Sequence, residues 1–455
     1  MKILILSIAL VLTFYLPQKA TAQVYVQDSL ALIALYNSTD GANWNNPWNI
    51  SQPVSTWLGV TIDSVGRVSM LFFHTVNMNG YLPSEIGNLT ELTDLKIWSS
   101  PNLMGNIPHD IGNLTKLQHL DISNTSLTSP IPPEIGNLTN LKYLKMNSNL
   151  FSGVVPDEIC NLTNLENINF QSNNFNGSLP DSIGKLTNLR FLDLYGNNIN
   201  RVPPSASSLI NLENINLMLN EELDSLPYDM FLNNVHSDLW IQLHGCNFNS
   251  LPDLSNTDID LLYIGDNRLT FESIEPFIDS VYYYGYWPQD SVLEAIDTTI
   301  HVGDTLVLSS LVGGQNNIYR WKKNSVTYSY GPNPYYIIYN ASTTHTGTYY
   351  CEITNTLATD LTLYRRPVRV TVDTSTSNVL NKATEKIYCT YNPVNNTVYF
   401  NNLNRINEIN ISDLQGRSVY KYKGNSLPEY LSLQQGGAYI VKIVTVDGVF
   451  TKKVF

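Results

Sequence analysis

Charged residues and cysteines are scarce in this chain of 455 residues. Only 14% of the residues are charged, against roughly 25% in an average soluble domain, which excludes long charged helices and coiled coils. The formal net charge of -13 argues against nucleic acid and anionic membranes as partners. Four cysteines are too few for a small scaffold held together by disulfides. Since 43% of the residues are hydrophobic, the composition predicts several soluble, β-rich domains with ordinary apolar cores.

Sequence signatures of catalysis and of metal binding are also missing. The chain contains no H-E-x-x-H, G-x-S-x-G, Walker or C-x-x-C motif, and its seven histidines are scattered. Cys160, Cys246, Cys351 and Cys389 are far apart in the sequence, and burial explains each of them more simply than a reactive thiol does. We therefore expect a protein that is not an enzyme and that has no cofactor and no metal site.

The N-terminus has the three parts of a secretory signal peptide. Lys2 precedes an apolar run from Ile3 to Leu16, and Ala20-Thr-Ala22 supplies the small residues of a cleavage site. The run is too short to span a bilayer, and no other stretch of the sequence predicts a transmembrane segment. We expect residues 1–22 to be removed during export through the periplasm, and the mature protein to be secreted or held on the outer cell surface.

A repeated phrase dominates the chain after this segment. Ile-Gly-Asn-Leu-Thr occurs at 86–90, 111–115 and 135–139, and later leucines recur every 24 residues. One unit reads Leu165-x-x-Ile168-x-Phe170-x-x-Asn173 and ends on Gly-x-Leu-Pro. This pattern resembles a leucine-rich repeat, with the ending of the plant receptor-like subtype. The resemblance implies a solenoid with one parallel strand per unit, short helical or 3-10 turns, and a continuous apolar core.

The repeats are expected to fill residues 68–290, including a closing cap after Leu269 that contains Tyr282–Gln289. The ninth place of a unit is expected to hold a buried asparagine that bonds the backbone of the turn, with Cys246 replacing it once. The nine predicted units open at Val68, Leu92, Leu117, Leu141, Leu165, Leu189, Leu212, Asp238 and Ile259.

Residues 23–67 resemble the N-terminal cap of plant-like leucine-rich repeat proteins. Asp28 can cap a first helix, and Trp57-Leu-Gly-Val keeps the W-x-G-V part of the cap motif without its cysteine. Trp44, Trp48 and Trp57 are expected to cover the exposed end of the first unit, because a solenoid needs a lid there. A ligand site built from the same three rings is the alternative.

Residues 291–373 differ in character from the repeats. The stretch His345-Thr-Gly-Thr-Tyr-Tyr-Cys351 resembles the D-x-G-x-Y-x-C motif of immunoglobulin domains. The resemblance implies an immunoglobulin-like β-sandwich with Trp321 in its core and Tyr349 at the tyrosine corner. Ser310 stands where such domains have their first cysteine, so no inter-sheet disulfide is expected. A fibronectin-like sandwich is the alternative, since the two share an architecture without sequence identity.

The tail, residues 374–455, resembles the C-terminal sorting domain of the type IX secretion system of Bacteroidetes. The motifs that carry the resemblance are Tyr391-Asn-Pro-Val394, Ile411-Ser-Asp-Leu-Gln-Gly-Arg-Ser-Val419, Gly437-Ala-Tyr-Ile-Val-Lys442 and Lys452-Lys-Val-Phe455. The resemblance implies a β-sandwich that the type IX secretion machinery recognises as a partner before release or surface attachment. A third adhesive sandwich is the alternative.

One face of the predicted solenoid is the candidate binding site. The third, fifth and seventh places of each unit point away from the buried leucines, and we call this surface the concave face. Aromatic side chains recur there, and exposed tyrosine and tryptophan are favoured in interfaces, although packing between neighbouring strands is an equal alternative. The residues assigned to ligand binding are His74, Trp98, His119, Tyr143, Phe191, Tyr195, Trp240 and Tyr263.

These observations predict a mainly β protein with a solenoid, an immunoglobulin-like sandwich and a β-sandwich sorting domain. We expect a non-catalytic recognition or adhesion protein whose partner is a protein or an extended glycan. A structural or ice-binding surface protein is the alternative, because regular rows of asparagine and threonine can order water.

Overall fold

The computed structural model shows a mainly β protein with few helices. It divides into two compact units, residues 1–374 and 375–455. The predicted signal peptide lies outside the described residues. The structure describes residues 24–254, 257–278, 281, 283–374, 389–392, 397–400, 406–413, 417–423, 430–433, 439–445 and 449–454.

The first unit begins with helix α1 (Val26–Ser38), which closes one end of the repeats. Ala31, Leu32 and Leu35 of α1 are fully buried. Asp28 is also fully buried, and its carboxylate accepts hydrogen bonds from the Arg67 guanidinium at 3.0 Å and from the backbone N–H of Val68 at 2.7 Å. This buried acid ties the helix to the start of the first parallel strand.

The three N-terminal tryptophans lie in the core between α1 and the first strands. Trp44, Trp48 and Trp57 are 3–5% exposed, and Trp48 stacks on Trp57 with ring centroids 4.7 Å apart. Their rings also contact Phe73 of the first unit. The rings therefore cover the end of the repeats, and little of their surface is left for a ligand.

The repeats place their strands side by side in one sheet. After β1 (Val60–Ile62), which pairs antiparallel with β2, the strands run parallel in register, so that Leu144, Ile168 and Leu192 lie directly opposite one another. All three side chains are buried, as the repeat pattern predicts. The parallel strands are β2 (Val68–His74), β4 (Asp94–Gly105), β5 (His119–Ser129), β6 (Tyr143–Lys145), β8 (Asn167–Asn169), β10 (Phe191–Asp193), β12 (Asn214–Asn216), β13 (Leu239–Gln242), β14 (Ile259–Tyr263) and β15 (Tyr283–Gly285).

Shorter elements complete each turn of the solenoid. Additional parallel pairs form after the main strands, from β3 (Asn79–Tyr81), β7 (Leu150–Gly153), β9 (Asn174–Ser178) and β11 (Asn198–Arg201). Helix α2 (Phe271–Ile274) lies between β14 and β15. The 3-10 helices of this region are Gly41–Asn43, Val54–Thr56, Ser84–Asn88, His109–Asn113, Pro133–Asn137, Asp157–Asn161, Ile183–Lys185, Pro204–Ser208 and Glu275–Phe277.

A ladder of buried asparagines joins successive turns. The Asn197 amide, for example, donates to the carbonyls of Phe170 and Leu194 at 3.0 Å each, and its oxygen accepts from the N–H of Phe175 at 3.0 Å. Cys246 occupies the same place, and its thiol donates to the Leu217 carbonyl of the preceding unit. Each rung satisfies backbone groups that the turn would otherwise leave buried without a partner.

The solenoid is one coil longer than the sequence predicts. The segment expected to act as a closing cap forms β15, which pairs parallel with β14. Among the described residues, the main sheet of the solenoid therefore has ten parallel strands, from β2 to β15, in place of nine. Gln289 extends the ladder, since its amide donates to the carbonyls of Ile264 and Tyr286 at 2.8 and 2.7 Å. The longer glutamine side chain performs the role of asparagine, which is why the repeat pattern did not reveal this coil.

A two-sheet domain follows without a linker. One sheet has the order β16 (Ile296–His301), β23 (Val368–Asp373), β21 (Gly347–Asn355), β18 (Asn317–Lys323) and β19 (Val326–Gly331), with β22 (Thr362–Tyr364) paired to β21. The other sheet contains β17 (Leu306–Ser309) and β20 (Tyr335–Ile338), and a 3-10 helix spans Thr343–His345. Trp321 and Tyr349 are buried between the sheets, and their core is continuous with that of the repeats.

One carboxylate makes several of the hydrogen bonds at the junction between the repeats and this domain. Glu275, next to α2, accepts hydrogen bonds from the backbone N–H groups of Gln315 and Asn316 at 3.1 and 3.2 Å and from the side-chain amide of Asn355. Only two residues separate Gln289 from Val292, which already bonds the backbone of β22 through Tyr364 O at 2.8 Å. The domain is therefore fixed to the last coil.

The second unit contains two antiparallel sheets with one shared core. The first has the order β24 (Cys389–Asn392), β25 (Thr397–Phe400) and β28 (Tyr430–Ser432). The second has the order β27 (Ser418–Lys423), β26 (Ile406–Asp413), β29 (Tyr439–Thr445) and β30 (Val449–Val454). Val398 from one sheet and Ile409 and Val441 from the other are fully buried. Parts of the four tail motifs, including residues 393–394, 414–416 and 437–438, lie outside the described residues.

Candidate functional site

The eight predicted binding residues lie on the parallel strands or directly after them. Because side chains alternate along a strand, burial of the fourth and sixth places turns the third, fifth and seventh places to the opposite side. The structure places Phe191, Trp240 and Tyr263 at 37%, 43% and 44% exposure, and His74 is also exposed. The four that are partly buried are Trp98, His119, Tyr143 and Tyr195.

Aromatic side chains pack against one another at the N-terminal end of the concave face. The Trp98 ring meets the His74 ring edge to face at 5.8 Å and the Phe72 ring at 5.3 Å. Phe72 is 43% exposed and was not among the predicted binding residues, although it occupies a fifth place and the strand alternation could have identified it. A shallow cavity of about 190 Å³ lies beside this cluster, lined by Phe72 and His74 together with Trp48 and other cap residues.

A charged cluster joins the next strands. Asp94 Oδ1 lies 2.8 Å from Lys96 Nζ and 3.0 Å from His119 Nδ1, and the His119 ring stacks on Tyr143 with centroids 4.8 Å apart. Burial raises the pKa of Asp94, but hydrogen bonds from Lys96 and Thr93 and the nearby His119 outweigh it, so the net shift is downward. Burial lowers the pKa of His119, and the opposing effect of the Asp94 carboxylate is smaller. The imidazole is therefore neutral near pH 7.

The carboxylates of the fifth places are engaged within the protein. The Asp193 carboxylate accepts the backbone N–H of Tyr195 at 3.0 Å, and Asn169 accepts that of Gln171 in the same way. Asp121 accepts a hydrogen bond from Ser123. Burial raises the pKa of both Asp121 and Asp193. The two acids therefore bond within the turns that follow their strands, which leaves less of their polar surface open to a ligand.

The C-terminal half of the concave face is more open. Phe191 lies between Asn167 and Asn214 on the neighbouring strands, so no aromatic side chain flanks its ring there. The Trp240 indole N–H donates to Asp260 at 3.0 Å, which fixes the orientation of the exposed ring. Tyr263 lies over the backbone of Gly285, where a Cβ would come within 3.0 Å of the ring.

Charged side chains surround these open rings. The Arg190 guanidinium lies 5.7 Å from the Phe191 ring centroid and donates to Glu213 at 2.7 Å. Glu213 also lies 3.5 Å from a His236 ring nitrogen, and His244 lies 3.0 Å from the carboxylate of Asp266. The surface thus combines apolar rings with polar groups whose positions are fixed by ion pairs.

The predicted residues do not converge on one point. The structure brings His74 together with Trp98, and His119 together with Tyr143, whereas Phe191, Trp240 and Tyr263 lie on different strands. These residues therefore do not enclose a small molecule. Among the described residues, no group of three or more histidine, cysteine or acidic side chains is arranged to hold a metal ion. None of the described helices is long and apolar enough to cross a membrane.

The thiols of Cys160, Cys246 and Cys351 are buried or partly buried and unpaired. Burial raises the pKa of Cys246 and of Cys351 to about 11. It also raises the pKa of Cys160. Since the thiolate is the reactive form, none of these three cysteines has the properties of a nucleophile.

Comparison with known proteins bears on the repeats. Residues 64–176 match a family model for a leucine-rich repeat region, and residues 188–209 match a model of the leucine-rich repeat. Similar solved structures include a plant ice-binding protein, with 22% identity over 54% of this chain and 88% of that chain and a TM-score of 0.46.

Two receptor structures are also similar. The leucine-rich repeat ectodomain of the receptor kinase SOBIR1 from Arabidopsis thaliana has 28% identity over 40% of this chain and 98% of that chain, with a TM-score of 0.35. The Arabidopsis receptor kinase HAESA, in complex with the peptide hormone IDA and the co-receptor SERK1, has 22% identity over 61% and 51%, with a TM-score of 0.42. The register of the strands, the asparagine ladder and the family matches together show that this part of the chain is built of leucine-rich repeats.

Proposed function

We propose that this protein is a non-catalytic recognition or adhesion protein that binds an extended segment of a partner protein on the concave face. The exposed rings of Phe191, Trp240 and Tyr263 on a hydrogen-bonded sheet are the observation that carries this proposal. Large aromatic side chains lose little conformational entropy on binding and often dominate interface energies. Because these rings are exposed, their surface is available to a partner.

The spacing of the strands indicates the size of the ligand. Neighbouring strands lie about 4.8 Å apart, so the seven steps from Trp98 on β4 to Tyr263 on β14 cover about 34 Å. An extended protein segment reaches this length with about ten residues, at about 3.3 Å per residue. A small metabolite would contact one or two strands only. The ion-paired groups around Phe191 suit the mixed polar and apolar surface of a protein better than that of a glycan.

Alanine variants of the open rings test the proposal. The full-length protein would first be probed against arrays of surface proteins and glycans, and the best ligand measured by calorimetry. Trp240→Ala and Tyr263→Ala should each weaken binding by about 1–4 kcal/mol with little change in thermal stability. Tyr228→Ala is the matched control, because Tyr228 is 71% exposed and lies outside the parallel strands. Loss of binding in the control but not in the two variants would exclude the concave face, and selective capture of glycans would overturn the choice of a protein ligand.

For residues 291–373 we propose an immunoglobulin-like sandwich that acts as a spacer. Support comes from Trp321, which is fully buried, and from Tyr349, whose hydroxyl donates to the His345 carbonyl at 2.8 Å as a tyrosine corner does. Ser310 is fully buried in the place expected for the missing cysteine. The burial of Cys351 as a free thiol fits a sandwich that is held by packing alone.

For the two ends of the chain we propose export signals. Residues 1–22 would direct the protein to the periplasm, and residues 374–455 would be read by the type IX secretion machinery. The compact second unit with its own core supports a separate role for the tail. Deletion of residues 378–455 should leave the protein folded in the periplasm, and fractionation with immunoblotting would measure this. Normal surface display of the shortened chain would contradict the sorting role.

A second candidate function, binding to ice, is favoured by a different surface. The side-chain amides of Asn140, Asn164, Asn188 and Asn211 donate to the carbonyls of Thr115, Thr139, Thr163 and Thr187 at 2.7–2.9 Å. These four threonines are exposed and recur once per coil. A fixed row of hydroxyl and amide groups can order water. Thermal hysteresis in the purified full-length protein would support this function, and its absence would exclude it.

A further inference from the structure

An open groove follows one edge of strand β17 in the two-sheet domain. It has a volume of about 360 Å³ and lies between β17 and the segment that leads into β16. All four residues of β17 line the groove, together with Ile296 and Val368 from the other sheet and Arg365, which directly follows β22. Consecutive residues of a strand point to opposite faces, so a groove that touches every one of them follows the strand's edge.

Within the described residues, β17 has a paired strand on one side only. It pairs antiparallel with β20, and Val307 lies opposite Ile337. The N–H of Ser310 donates to the Pro334 carbonyl at 3.0 Å, so Ser310 is at a hydrogen-bonded position of the pair and Ser309 is not. In an antiparallel pair, hydrogen-bonded and non-hydrogen-bonded positions alternate, so the N–H and C=O groups of Val307 and Ser309 point away from β20 and into the groove.

A buried cation lies at one end of this free edge. Arg365 is 4% exposed, and its guanidinium donates to the carbonyl of Ser309 at 2.9 Å and to that of Arg366. Among the residues described, no carboxylate lies within ion-pair distance of Arg365. Glu294 also lines the groove, but its carboxylate is exposed and lies 3.8 Å from the guanidinium of Arg366.

A buried guanidinium without a carboxylate partner is energetically unfavourable, and burial lowers the pKa of Arg365 accordingly. Elsewhere an acid of the chain itself pairs with an arginine, as Asp28 does with Arg67. A ligand carboxylate would form the charge-assisted, two-pronged hydrogen bond that arginine makes best. The apolar lining from Leu293, Ile296 and Val368 would accept the remaining side chains of that ligand.

We propose that the groove binds an extended peptide segment of a partner protein, which adds a strand to β17 and places an aspartate or glutamate on Arg365. Strand addition derives affinity from backbone hydrogen bonds and specificity from pockets for alternate side chains. Here the outward N–H and C=O of Val307 and the N–H of Ser309 supply the backbone bonds, because the Ser309 carbonyl already accepts from Arg365. Arg365 selects the acid. This site is separate from the concave face and uses different chemistry.

Two blocked, fluorescently labelled peptides test the choice of the acid with the full-length protein. The first is Thr-Val-Asp-Val-Thr-Val, and the second has asparagine in place of aspartate. Fluorescence anisotropy should show binding of the first and a loss of about tenfold or more for the second, because the bond to arginine loses its ionic part. Equal affinities, or no binding of either peptide, would overturn the proposal.

Two variants at one position test strand addition without disturbing the buried arginine. Val307→Pro removes the outward N–H and should abolish binding, whereas Val307→Ala keeps it and should bind within about threefold of the natural protein. Neither change removes a bond to β20, and circular dichroism would verify the fold. Equal loss in both variants would refute strand addition. Dimerisation that Val307→Pro abolishes would assign the groove to a second copy of this chain and overturn the choice of partner.

Discussion

Replacement of Asn173 by alanine offers a direct test of what holds the coils together. The Asn173 amide nitrogen lies 2.9 Å from the Met146 carbonyl, 3.0 Å from that of Phe170 and 3.3 Å from that of Gln171. Its oxygen accepts the N–H of Phe151 at 3.1 Å. One side chain therefore satisfies backbone groups in two successive units, and alanine can replace none of these bonds.

The magnitude follows from what each backbone group loses. The N–H of Phe151 is left without a partner, which costs about 1–3 kcal/mol for a buried group. The carbonyls of Met146 and Phe170 still accept from the amides of Asn149 and Asn197, so each loses one bond, worth about 0.5–1.5 kcal/mol. The expected decrease in the free energy of unfolding is about 2–6 kcal/mol.

Urea unfolding followed by tryptophan fluorescence would measure this decrease by linear extrapolation. Asn164→Ala at the end of the preceding unit is the matched control, since Asn164 is exposed and its amide donates to the Thr139 carbonyl at 2.8 Å. The control should change the free energy of unfolding by less than about 0.5 kcal/mol. If the two variants were equally stable, the reasoning about buried backbone groups would be refuted.

Three further predictions concern the core, one acid and the thiols. Leu192→Ala should lower the free energy of unfolding by about 2–5 kcal/mol in the same assay, because it leaves a cavity in a fully packed strand. Asp193→Asn should raise the free energy of unfolding by about 0.5–2 kcal/mol at pH 7. Burial raises the pKa of Asp193 in the folded state, and an asparagine can accept the same backbone bond, as Asn169 does in its own unit. That gain should shrink as the pH falls towards the unfolded pKa of about 3.9, where both states bind the proton; a gain independent of pH would contradict the assignment. Cys246 and Cys351, with pKa values of about 11, should react with iodoacetamide at pH 8 only after denaturation, as mass spectrometry would detect.

The strand register could be predicted from the sequence because a single period determines it. Leucines at the first, fourth and sixth places, such as Leu189, Leu192 and Leu194, can all be buried in only one phase of the chain. The structure confirms that phase, with all three at most 2% exposed. The tenth coil could not be predicted in this way, because it lacks the repeated phrase and uses Gln289 where the other units use asparagine.

Whether an aromatic ring of the concave face is packed or open depends on the side chains at the same place of the neighbouring strands. Trp98 is partly buried because His74 lies beside it on β2, whereas Phe191 is open because Asn167 and Asn214 flank it. Each unit considered alone shows an outward ring in both cases. Comparison of the same place in neighbouring units would have separated them, since the parallel register brings those side chains together.

Asp193 illustrates a second reason why single positions mislead. An acid on an outward place of the strand can be mistaken for a group that contacts a ligand. The asparagines at the equivalent places, Asn169 and Asn216, accept the same backbone N–H two residues later. Because the same short-range bond recurs in three units, Asp193 has a turn-forming role. The sequence pattern indicates this role when the equivalent asparagines are compared, whereas the charge of Asp193 does not.

The absence of a linker after the last coil affects how the protein carries load. Gln289 bonds the preceding coil, Val292 bonds the next domain, and Glu275 holds the backbone of Gln315 and Asn316. A pull exerted by a bound ligand would therefore reach the two-sheet domain without first straightening a flexible segment. The load would be shared by several hydrogen bonds and by a continuous apolar core. A junction of this kind would transmit force with little extension.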